Sequence, residues 1–187
     1  MKALKGIVIG ILVVIGSYLV LAILGPSSYK ITRSIKVIAP IDVIFDQTSI
    51  YANWKSWSPW AKLDANAKYT IESDNQEVGA KMSWVGNPEN VGTGELVTTK
   101  VEKNKVFLYE LSFLVPFEMT SQGGFTYESF DDYILVSWHD AGEFGFMMRP
   151  MMMFMDIEAE LGPQFEEGLA DIKKICENLA NNPSVNN

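Results

Sequence analysis

The sequence predicts an α+β protein in which a curved antiparallel sheet wraps one long C-terminal helix, with a single transmembrane helix ahead of the folded domain. Three observations predict it. Residues Gly6 to Leu24 carry no charge. Residues 68–140 alternate apolar and polar positions in short segments separated by Gly-rich turns. Residues Leu161, Phe165, Leu169, Ile172, Cys176 and Leu179 recur at a period near 3.6, the stripe of a helix with one buried face.

The N-terminal run holds Ile, Val, Leu, Ala and Gly with one Ser17 and one Tyr18. Its 19 residues, at about 1.5 Å rise each, make a helix of roughly 28 Å, close to the ~30 Å thickness of a bilayer core. Lys2 and Lys5 precede it, as in a signal peptide. The run closes Leu21-Ala22-Ile23-Leu24-Gly25-Pro26, where bulky Leu24 and Pro26 disfavour a small-x-small cleavage site. An uncleaved single-pass anchor through residues 6–24 is expected, with residues 1–28 as anchor and linker. Lys30, Arg33 and Lys36 fall in a segment that reads as folded, so the charge balance favours the domain lying outside the cytoplasm.

Composition narrows the classes. Of 15 Lys and Arg, 13 remain after Lys2 and Lys5 are set aside, against 23 Asp and Glu. An acidic domain is a poor nucleic-acid binder, because phosphate contacts need cations. A single cysteine, Cys176, excludes an internal disulfide and a multi-thiolate metal site, and a single histidine, His139, excludes His-rich metal centres. No metal or cofactor is expected. About 160 residues suit one domain with a real core, bounded at 29–180. The polar tail 181–187 reads as disordered.

Each element follows in order. Tyr29, Ile31, Arg33, Ile35 and Val37 share one face of a half-buried strand. Pro40 opens a short helix with Asp42 in its first turn. A second short helix is expected over Ile50 to Ser56, followed by Trp54-Lys55-Ser56-Trp57-Ser58-Pro59-Trp60. Then come about six strands. Met82 and Trp84 take one parity, as do Phe107, Tyr109, Leu111 and Phe113, and as do Ile134, Val136 and Trp138. Gly123-Gly124 suggests a bulge or bend in the strand before last. In the closing helix, Gly162-Pro163 is expected to kink the helix or divide it in two. A sheet with one apolar face must be covered, and a sheet wrapped on one helix, with two short helices at an end, leaves a hollow.

Several stretches resemble the SRPBCC, or START-like, superfamily, in particular its polyketide cyclase/dehydrase-like branch. They are Arg33-Ser34-Ile35 with Ala39-Pro40, the segment Trp54 to Trp60, Gly79-Ala80 leading to Trp84-Val85-Gly86-Asn87, Gly92-Thr93-Gly94, and Leu161-Gly162-Pro163-Gln164-Phe165-Glu166-Glu167-Gly168-Leu169. The resemblance spans roughly residues 29–177, and an apolar anchor before the domain also fits members of this branch. It implies a helix-grip fold and an internal cavity for an apolar ligand. It carries no activity with it, since the superfamily includes carriers, receptors and cyclases.

Candidate ligand-binding residues are Arg33, Met82, Trp84, Tyr109, Leu111, Phe113, Trp138, Met151 and Met155. Six methionines between Met147 and Met155 form either a pliable gate at a cavity mouth or gap-filling core; a membrane-facing patch is a further reading. A copper(I) site built on these thioethers would lack a nearby His or Cys. Trp54, Trp57 and Trp60 read chiefly as core, with stacking along the cavity rim or docking onto the membrane interface as the alternatives. Arg33, on an apolar face, either anchors an anionic ligand head or makes an internal salt bridge or a snorkelling end. His139 has the parity opposite to Trp138 and should point away from the hollow. Asp131-Asp132 and Asp140 read as strand-end turn residues, and Asp156, Glu158 and Glu160 either form a solvated helix face, the favoured reading, or reach toward the hollow. No catalytic motif is evident. The expected function is membrane-tethered binding or carrying of a small hydrophobic molecule such as a lipid, isoprenoid or polyketide-like compound. The alternatives are a cyclase/dehydratase-type enzyme and a protein-interaction module without ligand.

Overall fold

A computed structural model of the chain describes residues 2–72, 76–116 and 118–182. The fold is α+β and of the helix-grip type. Seven antiparallel strands form one sheet in the order β1-β7-β6-β5-β4-β3-β2, where β1 is Ser28–Val37, β2 Lys68–Ile71, β3 Lys81–Val85, β4 Thr93–Glu102, β5 Val106–Val115, β6 Met119–Ser129 and β7 Ile134–Glu143. The N-terminal helix α1 spans Lys2–Leu24, and three short helices, α2 (Ile41–Ser49), α3 (Tyr51–Trp54) and α4 (Pro59–Leu63), carry the chain from the β1 edge to the β2 edge. A one-turn helix α5, Arg149–Met152, precedes the long helix α6, Ile157–Asn181.

Helix starts follow local chemistry. Pro40 stands at the N-cap of α2, with Asp42 in its first turn, where a carboxylate meets the helix dipole favourably. Asp156 caps α6: its side chain accepts from the Ala159 N–H at 3.0 Å. It is therefore a cap, and not simply part of a solvated face. The stripe Phe165, Leu169, Ile172 and Cys176 is buried against the sheet, as the period predicts.

One local expectation is corrected, and at Gly162-Pro163 and Gly123-Gly124 one of two alternatives is removed. The helix expected over 50–56 ends at Trp54, and Pro59 starts a further turn, α4, since proline is well placed at a helix start. Helix α6 runs unbroken through Pro163; proline removes one N–H bond there, while packing of the flanking Leu161 and Phe165 on the core holds the helix together. Strand β6 has no bulge at Gly123-Gly124, because its pairing is continuous on both sides. The register shifts lie instead in the β4–β5 pair, between Thr93 and Gly94 and between Thr98 and Lys100.

The pairing registers sort the inner face of the sheet into rows. One row, Phe107, Phe125 and Trp138, is wholly aromatic across β5, β6 and β7. Phe165 of α6 stacks on Trp138 with ring centroids 4.2 Å apart, and Trp57 meets Trp138 edge-on at 5.4 Å. This end of the sheet is solid core. The next two rows each contain a glycine: Tyr109, Gly123 and Asp140, then Leu111, Ser121, Gly142 and Tyr29. A Cβ on Gly123 would stand 2.5 Å from the Tyr109 ring, and one on Gly142 would stand 2.7 Å from the Tyr29 ring. The Tyr109 and Tyr29 rings therefore lie over the two glycines, in the space a side chain there would take.

Helix α1 is apolar over Ala3–Leu24, with mean hydropathy 3.0, and most of its large side chains are exposed. Its C-terminal part touches the body near α5. The Tyr18 hydroxyl donates to the Met147 carbonyl, Ala22 is fully buried, and Gly25 packs on the Arg149 backbone. The expected domain edge at residue 29 lies one residue inside β1. Of the tail 181–187, residues 183–187 lie outside the described residues.

Candidate functional site

Above the two glycine rows lies a cavity of about 480 Å³, within the ~300–1,000 Å³ typical of small-molecule sites. The sheet forms its floor, α4 one side, and the Met-rich segment with the start of α6 its roof. Met82 and Trp84 enter from β3, Tyr109, Leu111 and Phe113 from β5, and Trp138 from β7; Met151 of α5 and Met155 just after it close the top. Eight of the nine residues singled out from sequence thus line one space. Strand alternation makes this possible, since residues two apart share a face, and antiparallel pairing stacks those faces side by side.

Arg33 is not among the lining residues. Its guanidinium reaches outward to α6, pairing with Glu158 and Glu166 at 2.8 Å each, and these carboxylates raise its pKa further. Of the two readings of Arg33, the geometry is that of an ion pair. His139 is half-buried on the face of β7 opposite Trp138, and burial, followed by nearby Lys30, lowers its pKa.

Asp140 corrects the sequence reading. It lies inside β7, opposite Ile31 of β1 and Gly123 of β6, is only 3% exposed, and lines the cavity. The Tyr29 hydroxyl donates to its Oδ1 at 2.6 Å and the Ser121 hydroxyl to its Oδ2 at 3.1 Å. Burial pushes its pKa up to about 6, while the two donors hold it partly down. Nearby, the Trp138 indole N–H donates to the Tyr109 hydroxyl at 2.9 Å, and burial raises that hydroxyl well above its ordinary pKa. Sequence parity contained the signal, because Asp140 continues the series Ile134, Val136 and Trp138.

The cavity edge is marked by lining residues that are exposed, Leu63 and Asn90 on one side and Met151, Met155 and Glu160 on the other. Around it, Phe146, Met147, Met153 and Phe154 also stand exposed, Phe154 at 83%. The methionine cluster therefore divides: Met152 is buried and its neighbours form the lip. Trp54 and Trp57 are core, with indole N–H groups donating to the carbonyls of Thr48 and Gln47; Trp54 and Trp60 also border the cavity. Among the described residues no three His, Cys, Asp or Glu side chains converge on a point that could hold a metal ion.

No protein-family model matches the chain, and no curated protein matches it. Solved structures do share the fold. The ARO/CYC di-domain StfQ from the steffimycin biosynthetic pathway aligns with a TM-score of 0.63 at 10% identity, over 83% of this chain and 52% of that one, so the match spans about half of the di-domain. Ginseng major latex-like protein 151 from Panax ginseng aligns at 0.59 and 11% identity, over 81% and 99% of the two chains. The Aha1 dimer structure from Colwellia psychrerythraea aligns at 0.57 and 16% identity, over 80% and 96%. The chain is thus similar in structure to SRPBCC, or Bet v1-like, proteins, and at these identities the likeness is one of fold.

Proposed function

We propose that this protein binds or carries a small hydrophobic molecule in the cavity between the sheet and α6, and that α1 tethers the cavity to a membrane. One observation carries the reading: a space of about 480 Å³ walled by Met82, Trp84, Tyr109, Leu111, Phe113 and Trp138. Burial of apolar ligand surface there supplies about 25 cal/mol per Å² before the cost of immobilising the ligand is deducted. The SRPBCC resemblance, with its implied apolar cavity, supports the same reading.

The tether is supported by the length and apolarity of α1. Tyr18 lies six residues before Leu24, about 9 Å back along the helix, and it meets Met147. A membrane-spanning α1 therefore carries the exposed Met147, Met153 and Phe154 to bilayer level. Apolar ligand could then pass between the lipid and the cavity without crossing water. The domain, residues 29–180, would face out of the cytoplasm.

Native mass spectrometry of the full chain released from nanodiscs tests the proposal. A retained lipid-sized mass is the expected result. Consistent absence, with no uptake of an apolar fluorophore, would overturn it.

A second reading, a cyclase/dehydratase-type enzyme, draws on Tyr29 and Asp140, two interacting titratable groups on the cavity wall. A carboxyl with a pKa near 6 suits proton transfer near neutral pH. The same spectra separate the two. Identical ligand masses on the wild type and Asp140→Asn fit a carrier, and masses that differ by the elements of water fit dehydration.

A further inference from the structure

The cavity has a sign. Among the described residues that line it there is no Lys, Arg or His, while Asp140 and Glu160 are both present. Asp140 lies deep, beside the glycine at 123, and a Cβ there would come within 2.7 Å of its Oδ2. Each of its oxygens accepts one hydroxyl and keeps a further lone-pair direction. On the α6 side, the Gln164 side chain also belongs to the lining. The indole N–H groups of Trp84 and Trp138 already donate to the Val91 carbonyl and the Tyr109 hydroxyl. Neutral donors remain, the Tyr109 hydroxyl and the Trp60 indole N–H, but among the described lining residues no cation stands beside them.

Resting on the cavity-binding reading, we infer that the ligand carries on its apolar body a hydrogen-bond donor without negative charge, a hydroxyl or an amine, received by Asp140, and that molecules ending in a carboxylate, sulfonate or phosphate are refused. An anionic head would meet a buried carboxylate with no lining cation, and like charges at low dielectric repel strongly. It would also lose its water with only neutral donors to replace it. A hydroxyl or amine head instead gives Asp140 a third hydrogen bond, of the charge-assisted kind. Glu160 at the rim repels anions before entry.

The test is displacement of the uncharged fluorophore N-phenyl-1-naphthylamine from the full chain in phosphatidylcholine nanodiscs at pH 8. The competitors are 1-decanol, decylamine and decane-1-sulfonate, which share one chain length. Nanodiscs carrying Leu111→Trp, in which the cavity is filled, are subtracted for partition into lipid. Decanol and decylamine should displace the probe, and the sulfonate should need roughly tenfold more or beyond. Asp140→Asn should narrow that gap to about threefold or less, whereas Ser121→Ala, which keeps the carboxylate, should retain it. Equal displacement by decanol and the sulfonate on the wild type overturns the inference while leaving the cavity reading intact. So does a gap unchanged in a folded Asp140→Asn. Probe uptake no greater than in Leu111→Trp overturns both.

Discussion

The Tyr29 hydroxyl at the start of β1 donates a 2.6 Å hydrogen bond to the Asp140 carboxylate in β7, tying the two ends of the chain's strand order together at the polar point of an apolar cavity. The donor does not fully offset desolvation, since the Asp140 pKa stands near 6 against an ordinary 3.8. The folded state therefore binds its proton more tightly than the unfolded state. This contribution to stability is complete below about pH 4 and is lost as pH rises through 6. Its size is on the order of 3 kcal/mol. Tyr29, Ser121 and Tyr109 surround the group, and burial raises both tyrosine pKa values, so neither titrates in this window. Thermal unfolding of the wild type should weaken from pH 4 to pH 7 relative to Asp140→Asn. Parallel pH profiles for the two proteins would contradict the assignment.

Filling the cavity should remove binding without unfolding the domain. Leu111 is half-buried in the floor, with open space above it. Leu111→Trp places an indole in that space. Uptake of an apolar fluorophore should fall at least tenfold, with near-UV circular dichroism still showing a packed core. Unchanged uptake would mean that the probe sits elsewhere.

Arg33 should matter to α6 and not to ligand. Its partners are Glu158 and Glu166, both largely exposed, and solvent-exposed pairs contribute little. Arg33→Gln should leave ligand affinity within about twofold of the wild type. A large drop in affinity for an anionic ligand alone would restore Arg33 as an anion anchor.

The lip should lie in the membrane. Phe154→Cys can be labelled selectively with an environment-sensitive fluorophore, because Cys176 is buried. In nanodiscs the label should show blue-shifted emission and quenching by brominated lipid. Quenching by aqueous iodide instead would place the lip in water and remove the direct route from bilayer to cavity.

The solid end of the sheet should carry the larger share of stability. Trp57 is fully buried among Trp54, Phe125 and Trp138. Trp57→Ala should cost about 3–5 kcal/mol in denaturant unfolding. The half-buried Trp60 should cost less when truncated, because the cavity already adjoins it.

The order of elements, the apolar first helix and the inward parity of β3, β5 and β7 were legible in the chain alone. Periodicity reports which face a side chain takes, and for Met82, Trp84, Tyr109, Leu111, Phe113 and Trp138 that was enough, because these inward positions of β3, β5 and β7 meet the same space. What lies across that space is decided by residues far away in sequence. Asp140 meets Tyr29 over 111 positions and Arg33 meets Glu166 over 133, and no local pattern encodes such distances. Only the strand registers set Gly123 and Gly142 beside Tyr109 and Tyr29, and so let those two rings lie close against the sheet. Tertiary packing likewise kept α6 whole through Pro163, since contacts along its buried stripe outweigh one missing hydrogen bond.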